Sequence, residues 1–144
     1  MKTTPAPTLL TDAELLDPPR GYRPLAWLGL GVNILIVPLV LAVILLDPTW
    51  RITNIVVGAS AVLPTAALGV VASIALLRWR HWGQILAIVA LSLSLAICLP
   101  YSIVRLVVLE HGRLPLAVLA PLAWMFNAAV LVFWCRPAIR RYLR

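Results

Sequence analysis

The chain has 144 residues, 62% hydrophobic and 12% charged, with a net charge of +7, a pI near 10.8 and a mean hydropathy of +1.00. Soluble domains run at about 45–50% apolar and about 25% charged residues, so these few charges could not cover the apolar surface in water, and a bilayer is the natural solvent. The basic residues sit at the ends of apolar runs and form no basic domain, which sets nucleic-acid binding aside.

Residues 1–23 form a polar, proline-rich tail. Thr11-Asp12-Ala13-Glu14 has the form of a capping box, and Pro18-Pro19 ends any short helix it starts. Acids, prolines and the lack of a cleavage-like site before a full-length apolar run make a signal peptide an unexpected reading. The tail is expected to be cytoplasmic.

The membrane domain is expected over 24–134, with spans at about 24–46, 52–77, 83–109 and 116–134. Each is long enough for a hydrocarbon core of about 30 Å. Pro24 suits a helix start, and Tyr22 and Trp27 suit the interface. Asp47-Pro48-Thr49 makes the first turn, because the residue before proline is pushed out of the helical region. The second span carries Ala61, Thr65, Gly69 and Ser73 at intervals of four, a small-residue stripe that lets helices approach closely. Pro64 is expected to kink it.

Arg78-Trp79-Arg80-His81-Trp82 is the basic break that divides the four spans into two hairpins. On the third span, Gly83, Ala87, Ala90, Ser94, Cys98, Ser102 and Arg105 share one small, polar face. Glu110-His111-Gly112-Arg113 makes a tight loop, and the fourth span holds Trp124 and Asn127. In the tail 135–144, Arg136, Arg140 and Arg144 repeat at four, with Ile139, Tyr142 and Leu143 on the other side. That pattern reads as a short basic amphipathic helix on an anionic leaflet.

Orientation follows from the basic residues. Lys2, Arg20, Arg23, Arg78, Arg80, Arg136, Arg140, Arg141 and Arg144 fall on one side, and only Arg51 and Arg113 fall in the other two loops. The positive-inside rule places both termini and the central loop in the cytoplasm. Arg78, Arg80, Arg136, Arg140, Arg141 and Arg144 are the candidate contacts to anionic lipids there.

Depth can be counted at about 1.5 Å per residue. Asn33 then lies roughly 14 Å above the inner end of the first span and Asn127 roughly 17 Å below the outer end of the fourth. Thr65 and Ser94 come out at a similar level. Buried amides in hydrocarbon need partners, so Asn33, Thr65, Ser94 and Asn127 are expected to form a polar layer. Such bonds average only about 0.6 kcal/mol in membrane proteins, enough to set register. Arg105 is the one charge inside an apolar run. It is five residues from Glu110 and is expected to snorkel to the outer interface, with that carboxylate as a partner. The rival reading makes Ser94, Ser102 and Arg105 a pore lining or anion site. Cys98 and Cys135 are expected to lie roughly 20 Å apart and to remain free thiols.

Several chemistries lack their residues. No Asp, Glu or His falls inside a span, whereas proton-coupled carriers usually hold such groups in the membrane. Small multidrug exporters share the four-span plan but carry an acid in their first helix, where this chain has Asn33. There is no GxxxxGK, GxGxxG or HExxH motif. No cofactor, metal site or enzymatic activity is expected. The fold class is an all-α integral membrane four-helix bundle of two hairpins. Size and span number resemble those of small four-span proteins of bacteria and their phages, holin-like and phage-exclusion proteins among them. That likeness is architectural, and architecture does not give function. The leading expectation is a non-enzymatic accessory subunit of the cell membrane, working as a homo-oligomer or with a membrane-protein partner. An oligomeric pore or ion-leak protein is the alternative, and an uncoupled small carrier ranks third.

Overall fold

The computed structural model describes residues 19–108 and 113–143. The expected capping box, the Glu110-His111-Gly112 loop and Arg144 lie outside the described residues. The described elements are helical throughout: α1 (Tyr22–Leu46), α2 (Arg51–Val57), a π-helical turn (Gly58–Val62), α3 (Leu63–Leu77), α4 (His81–Val108), α5 (Arg113–Trp134) and α6 (Pro137–Tyr142). Among the described residues, four helical stretches are long and apolar enough to cross a membrane: Tyr22–Leu46, Arg51–Leu77, His81–Val108 and Leu114–Trp134.

Helix α1 begins two residues ahead of Pro24, after Gly21 at a φ of 89°. Pro24 therefore sits in the first turn, where its missing N–H would have had no helical partner anyway. After Leu46 the chain turns at Asp47, whose Oδ1 accepts the Trp50 backbone N–H at 3.3 Å. A carboxylate that bonds the backbone a few residues on stabilises such a turn.

Pro64 is accommodated by a π-helical turn and not by a break. The Leu63 N–H reaches back five residues to the Gly58 carbonyl. Widening the turn just before the proline absorbs the missing bond and the ring clash. Gly58 also sits close to α1: a Cβ there would lie 2.8 Å from Val40 Cγ1.

The sharp break at Arg78-Trp79-Arg80 has a defined geometry. The Arg80 N–H bonds the Ala75 carbonyl at 2.9 Å, and the Trp79 N–H bonds the Leu76 carbonyl at 2.9 Å. These are the paired bonds of a Schellman motif. Glycine usually takes its left-handed position, but here Trp79 does, at a φ of 59°. The left-handed region costs an ordinary residue roughly 1–2 kcal/mol. Packing holds Trp79 there. Its ring stacks on Tyr22 with centroids 4.8 Å apart, and the Arg23 guanidinium lies 5.6 Å over it.

These contacts begin the core at the base of the bundle, the end that carries Tyr22, the α3–α4 break and the end of α5. Tyr22, Leu76, Trp134, Ile139 and Leu143 are buried together there. The Tyr22 hydroxyl donates to the Leu76 carbonyl at 2.6 Å, and the Gln84 amide donates to the Trp134 carbonyl at 2.6 Å. The first bond ties α1 to α3, and the second ties α4 to α5. Tyr22 also meets Trp134 edge-on at 5.4 Å.

Helix α6 departs from the leaflet-bound arrangement expected for it. Arg136 bonds back to Phe133, and the chain folds at Pro137 so that Ile139 and Leu143 enter the base core at 1% and 7% exposure. Their apolar surface is covered by protein and is not left for lipid. Arg136 and Arg140 remain exposed.

Packing of the spans follows chain order. Helix α1 lies against α3, α3 against α4, and α4 against α5. The small-residue stripe of α3 faces α1: Gly69 abuts the Asn33 side chain, and Ser73 abuts Gly29. Gly83 brings the start of α4 onto α3, where a Cβ would lie 2.8 Å from the Leu76 backbone nitrogen. By contrast, α1 and α5 make scarcely any close backbone contact. They meet at the base through Tyr22 and Trp134 and stand apart above it.

Candidate functional site

Because α1 and α5 do not close on each other, the four spans surround a cavity of about 300 Å³. Its length follows from its wall on α1, which runs from Leu25 to Ile36. At about 1.5 Å per residue that is roughly 16 Å. Leu76 and Trp134, members of the base core, form its floor. Leu28 and Val32 of α1 and Phe126 of α5 line the cavity while staying well exposed, and they mark its side mouth. The cavity is therefore closed at the base and open sideways.

The wall is mostly hydrocarbon, with polar groups gathered toward the upper part. Asn33, Thr65, Ser94 and Asn127, the four residues expected to share a level, all line it. They are not joined into one network. The Asn127 Nδ2 donates to Ser94 Oγ at 3.0 Å, across α4 and α5. Asn33 donates to its own helix at Gly29 O, 2.7 Å away, and Thr65 donates to Ala61 O at 2.7 Å. Amides and hydroxyls in helices readily bond a carbonyl one turn back, and both side chains do so here. Asn127 Oδ1 is buried without a partner among the described residues. No charged side chain lines the cavity among the described residues.

A second polar cluster lies at the far end. Arg105 is ion-paired with Asp47, and its guanidinium lies 5.5 Å over the Trp50 ring and 5.8 Å over the Tyr101 ring. The Tyr101 hydroxyl donates to Asn54 Oδ1. The carboxylate expected for Arg105 was Glu110, which lies outside the described residues; among the described residues its carboxylate partner is Asp47, on the turn after α1. The cluster clamps the α1–α2 turn onto α4. Two buried donors in it, Asn54 Nδ2 and Arg105 Nε, have no partner among the described residues.

The residues considered for a pore lining thus fall into two places. Ser94 lines the cavity. Ser102 is turned back onto its own helix, donating to the Cys98 and Leu99 carbonyls, and Arg105 is held in the far cluster. Arg78, Arg80, Arg136 and Arg140 are exposed near the base. Both thiols, Cys98 and Cys135, are free, and Cys98 lies on the cavity wall. Tyr22, Gln84, Asn54 and Tyr101 carry key contacts that sequence reading missed. A polar residue at the end of an apolar run was the available signal for Tyr22, Gln84 and Asn54, whereas Tyr101 lies within one.

Compared with protein-family models, with curated proteins and with solved structures, the chain matches none of them.

Proposed function

We propose that the protein is a non-enzymatic accessory subunit of the cell membrane, with both termini and the central loop cytoplasmic, whose working element is the side-opening cavity. The observation that carries this reading is the cavity's form: closed at the base by Leu76 and Trp134, open between α1 and α5, and walled by hydrocarbon, amides and hydroxyls. An apolar pocket with a few convergent polar groups is the usual form of a binding site. Such walls suit holding a molecule and supply no acid or base for proton transfer.

The orientation rests on the bias of Lys and Arg toward the base. The exposed Arg78, Arg80, Arg136 and Arg140 would meet anionic headgroups there, each worth about 1 kcal/mol near such a surface. The protein partner, a second copy or another membrane protein, would pack on the exposed apolar flanks of α1 and α5.

The pore reading is weaker, because the buried aromatic floor stands between the cavity and the base. Inducible expression in bacteria with a potential-sensitive dye tests the choice. The membrane potential stays intact on the accessory reading. Rapid depolarisation that disappears in a Ser94→Leu variant would favour the pore.

A further inference from the structure

The cavity is small, and its size constrains what enters. Its volume is about 300 Å³, and a water occupies about 30 Å³ of liquid. The space therefore equals on the order of ten waters, or ten chain methylenes of similar size. That suits one short stretch of hydrocarbon chain. A transmembrane helix, about 10 Å across, is far too large. The side mouth at Leu28, Val32 and Phe126 opens on the level where lipid chains lie.

The polar groups constrain the head of the guest. Ser94 Oγ accepts a bond from Asn127 Nδ2, and its own proton is not committed among the described residues. Asn127 Oδ1 is a buried acceptor without a partner among the described residues. A half-turn of the amide exchanges the roles of its two ends and still leaves one of them unpaired. The Asn χ2 torsion is broad and soft, so the amide can swing its free group toward a guest. The pair thus offers an acceptor and at least one donor, and a hydroxyl complements both. No cation or anion lines the cavity among the described residues, and a charged head near mid-membrane would cost several kcal/mol, about 2.5–3.5 on insertion scales.

We propose that the cavity binds one neutral, single-chain alcohol, with its hydroxyl on Ser94 and Asn127 and its chain directed toward the floor at Leu76 and Trp134. This rests on the binding role proposed above and names the class of ligand. A phospholipid headgroup is tied to the interface and cannot reach the Ser94 level, so a phospholipid could enter only by a chain end, which leaves the Ser94–Asn127 pair unmet.

The test uses the full chain in phosphatidylcholine nanodiscs. Two probes are compared: 1-decanol carrying a terminal diazirine, and decane carrying the same diazirine. After illumination, peptide mass spectrometry locates the crosslinks. The alcohol should label the floor around Leu76 and Trp134. Ser94→Ala and Asn127→Ala should each weaken its apparent affinity about tenfold, the worth of one buried hydrogen bond, and leave decane labelling unchanged. Ser94→Ala is nearly isosteric, so it reports on the bond even if Asn127→Ala folds poorly. Equal labelling by both probes, unmoved by either variant, would overturn the assigned chemistry and leave a merely apolar binding cavity. Labelling confined to the outer faces of the spans would remove the binding role as well. Displacement of the alcohol by a photoreactive phosphatidylcholine at the same wall would reassign the guest to membrane phospholipid.

Discussion

Gly83 is the point where α4 comes down onto α3, and replacing it by alanine tests the packing directly. A Cβ at Gly83 would lie 2.8 Å from Ala75 Cβ and 2.8 Å from the Leu76 backbone nitrogen. The second obstacle is backbone, so no side-chain rotation relieves the overlap. The helices must part, or the start of α4 must shift. Overpacking of this kind costs about 1–3 kcal/mol. Alanine would recover up to about 0.5–1 kcal/mol of helix propensity, less at the third residue of a helix, so the net loss is about 1–2 kcal/mol. The shift also strains the base, because the Leu76 carbonyl accepts the Tyr22 hydroxyl. Gly31 supplies the matched control: nothing lies within 4 Å of a Cβ placed there. Gly31→Ala should be neutral or stabilising by a few tenths of a kcal/mol. The two variants should differ by about 2 kcal/mol, roughly thirtyfold in the folded ratio. Reversible unfolding in mixed detergent micelles with rising dodecyl sulfate, followed by tryptophan fluorescence, measures that difference. Gly83→Ala proving as stable as Gly31→Ala would refute the close backbone approach.

Other substitutions test other links. Tyr22→Phe should cost about 0.5–1 kcal/mol, the low end for a hydrogen bond, because the Leu76 carbonyl keeps its bond to the Trp79 N–H; a loss above about 2 kcal/mol would point to a larger role for that hydroxyl. Trp79→Gly relieves left-handed strain of about 1–2 kcal/mol but removes a half-buried ring, its stack on Tyr22 and its contact with Arg23. A net loss of about 1 kcal/mol is expected from those opposing effects, and a gain would show that strain outweighs packing. Asp47→Ala leaves Arg105 without its carboxylate. Both side chains are partly exposed, at 18% and 25%, so the expected loss is about 1–2 kcal/mol, below the 3–5 of a fully buried pair. Asp47→Ala combined with Arg105→Met should recover about 1 kcal/mol relative to additivity; strictly additive losses in a double-mutant cycle would mean the pair is not coupled.

The four spans were legible because hydropathy reads them without knowledge of packing, and the break at Arg78–Trp82 because charges interrupt an apolar run. Depth counting along straight helices put Ser94 and Asn127 at one level, and the structure joins them. The same counting could not say that Asn33 and Thr65 bond their own helices, since that choice turns on rotamers and interhelical distance. Arg105 has a partner that sequence proximity did not suggest: the turn after α1 brings Asp47 to the guanidinium. The base core was the least legible part. Tyr22 read as an interfacial anchor and Trp134 only as the last residue of the fourth span, and their mutual contact depends on how α1 and α5 converge. Ile139 and Leu143 read as a lipid-facing stripe, because an amphipathic pattern does not say whether protein or bilayer covers its apolar side. The separation of α1 and α5 above that core has no sequence signature at all, and the cavity follows from it.

The most direct test of the central claim is the environment of Cys98, which lies on the cavity wall. A nitroxide attached there in a Cys135→Ser background, with the protein reconstituted in vesicles, reports which relaxing agent reaches it. Oxygen concentrates in hydrocarbon, and a nickel chelate stays in water. A cavity open to the bilayer and sealed at its base predicts strong broadening by oxygen and little by the chelate. Broadening by the nickel chelate comparable to that of a label at Cys135 would mean that water reaches the cavity wall at Cys98, and would contradict the account.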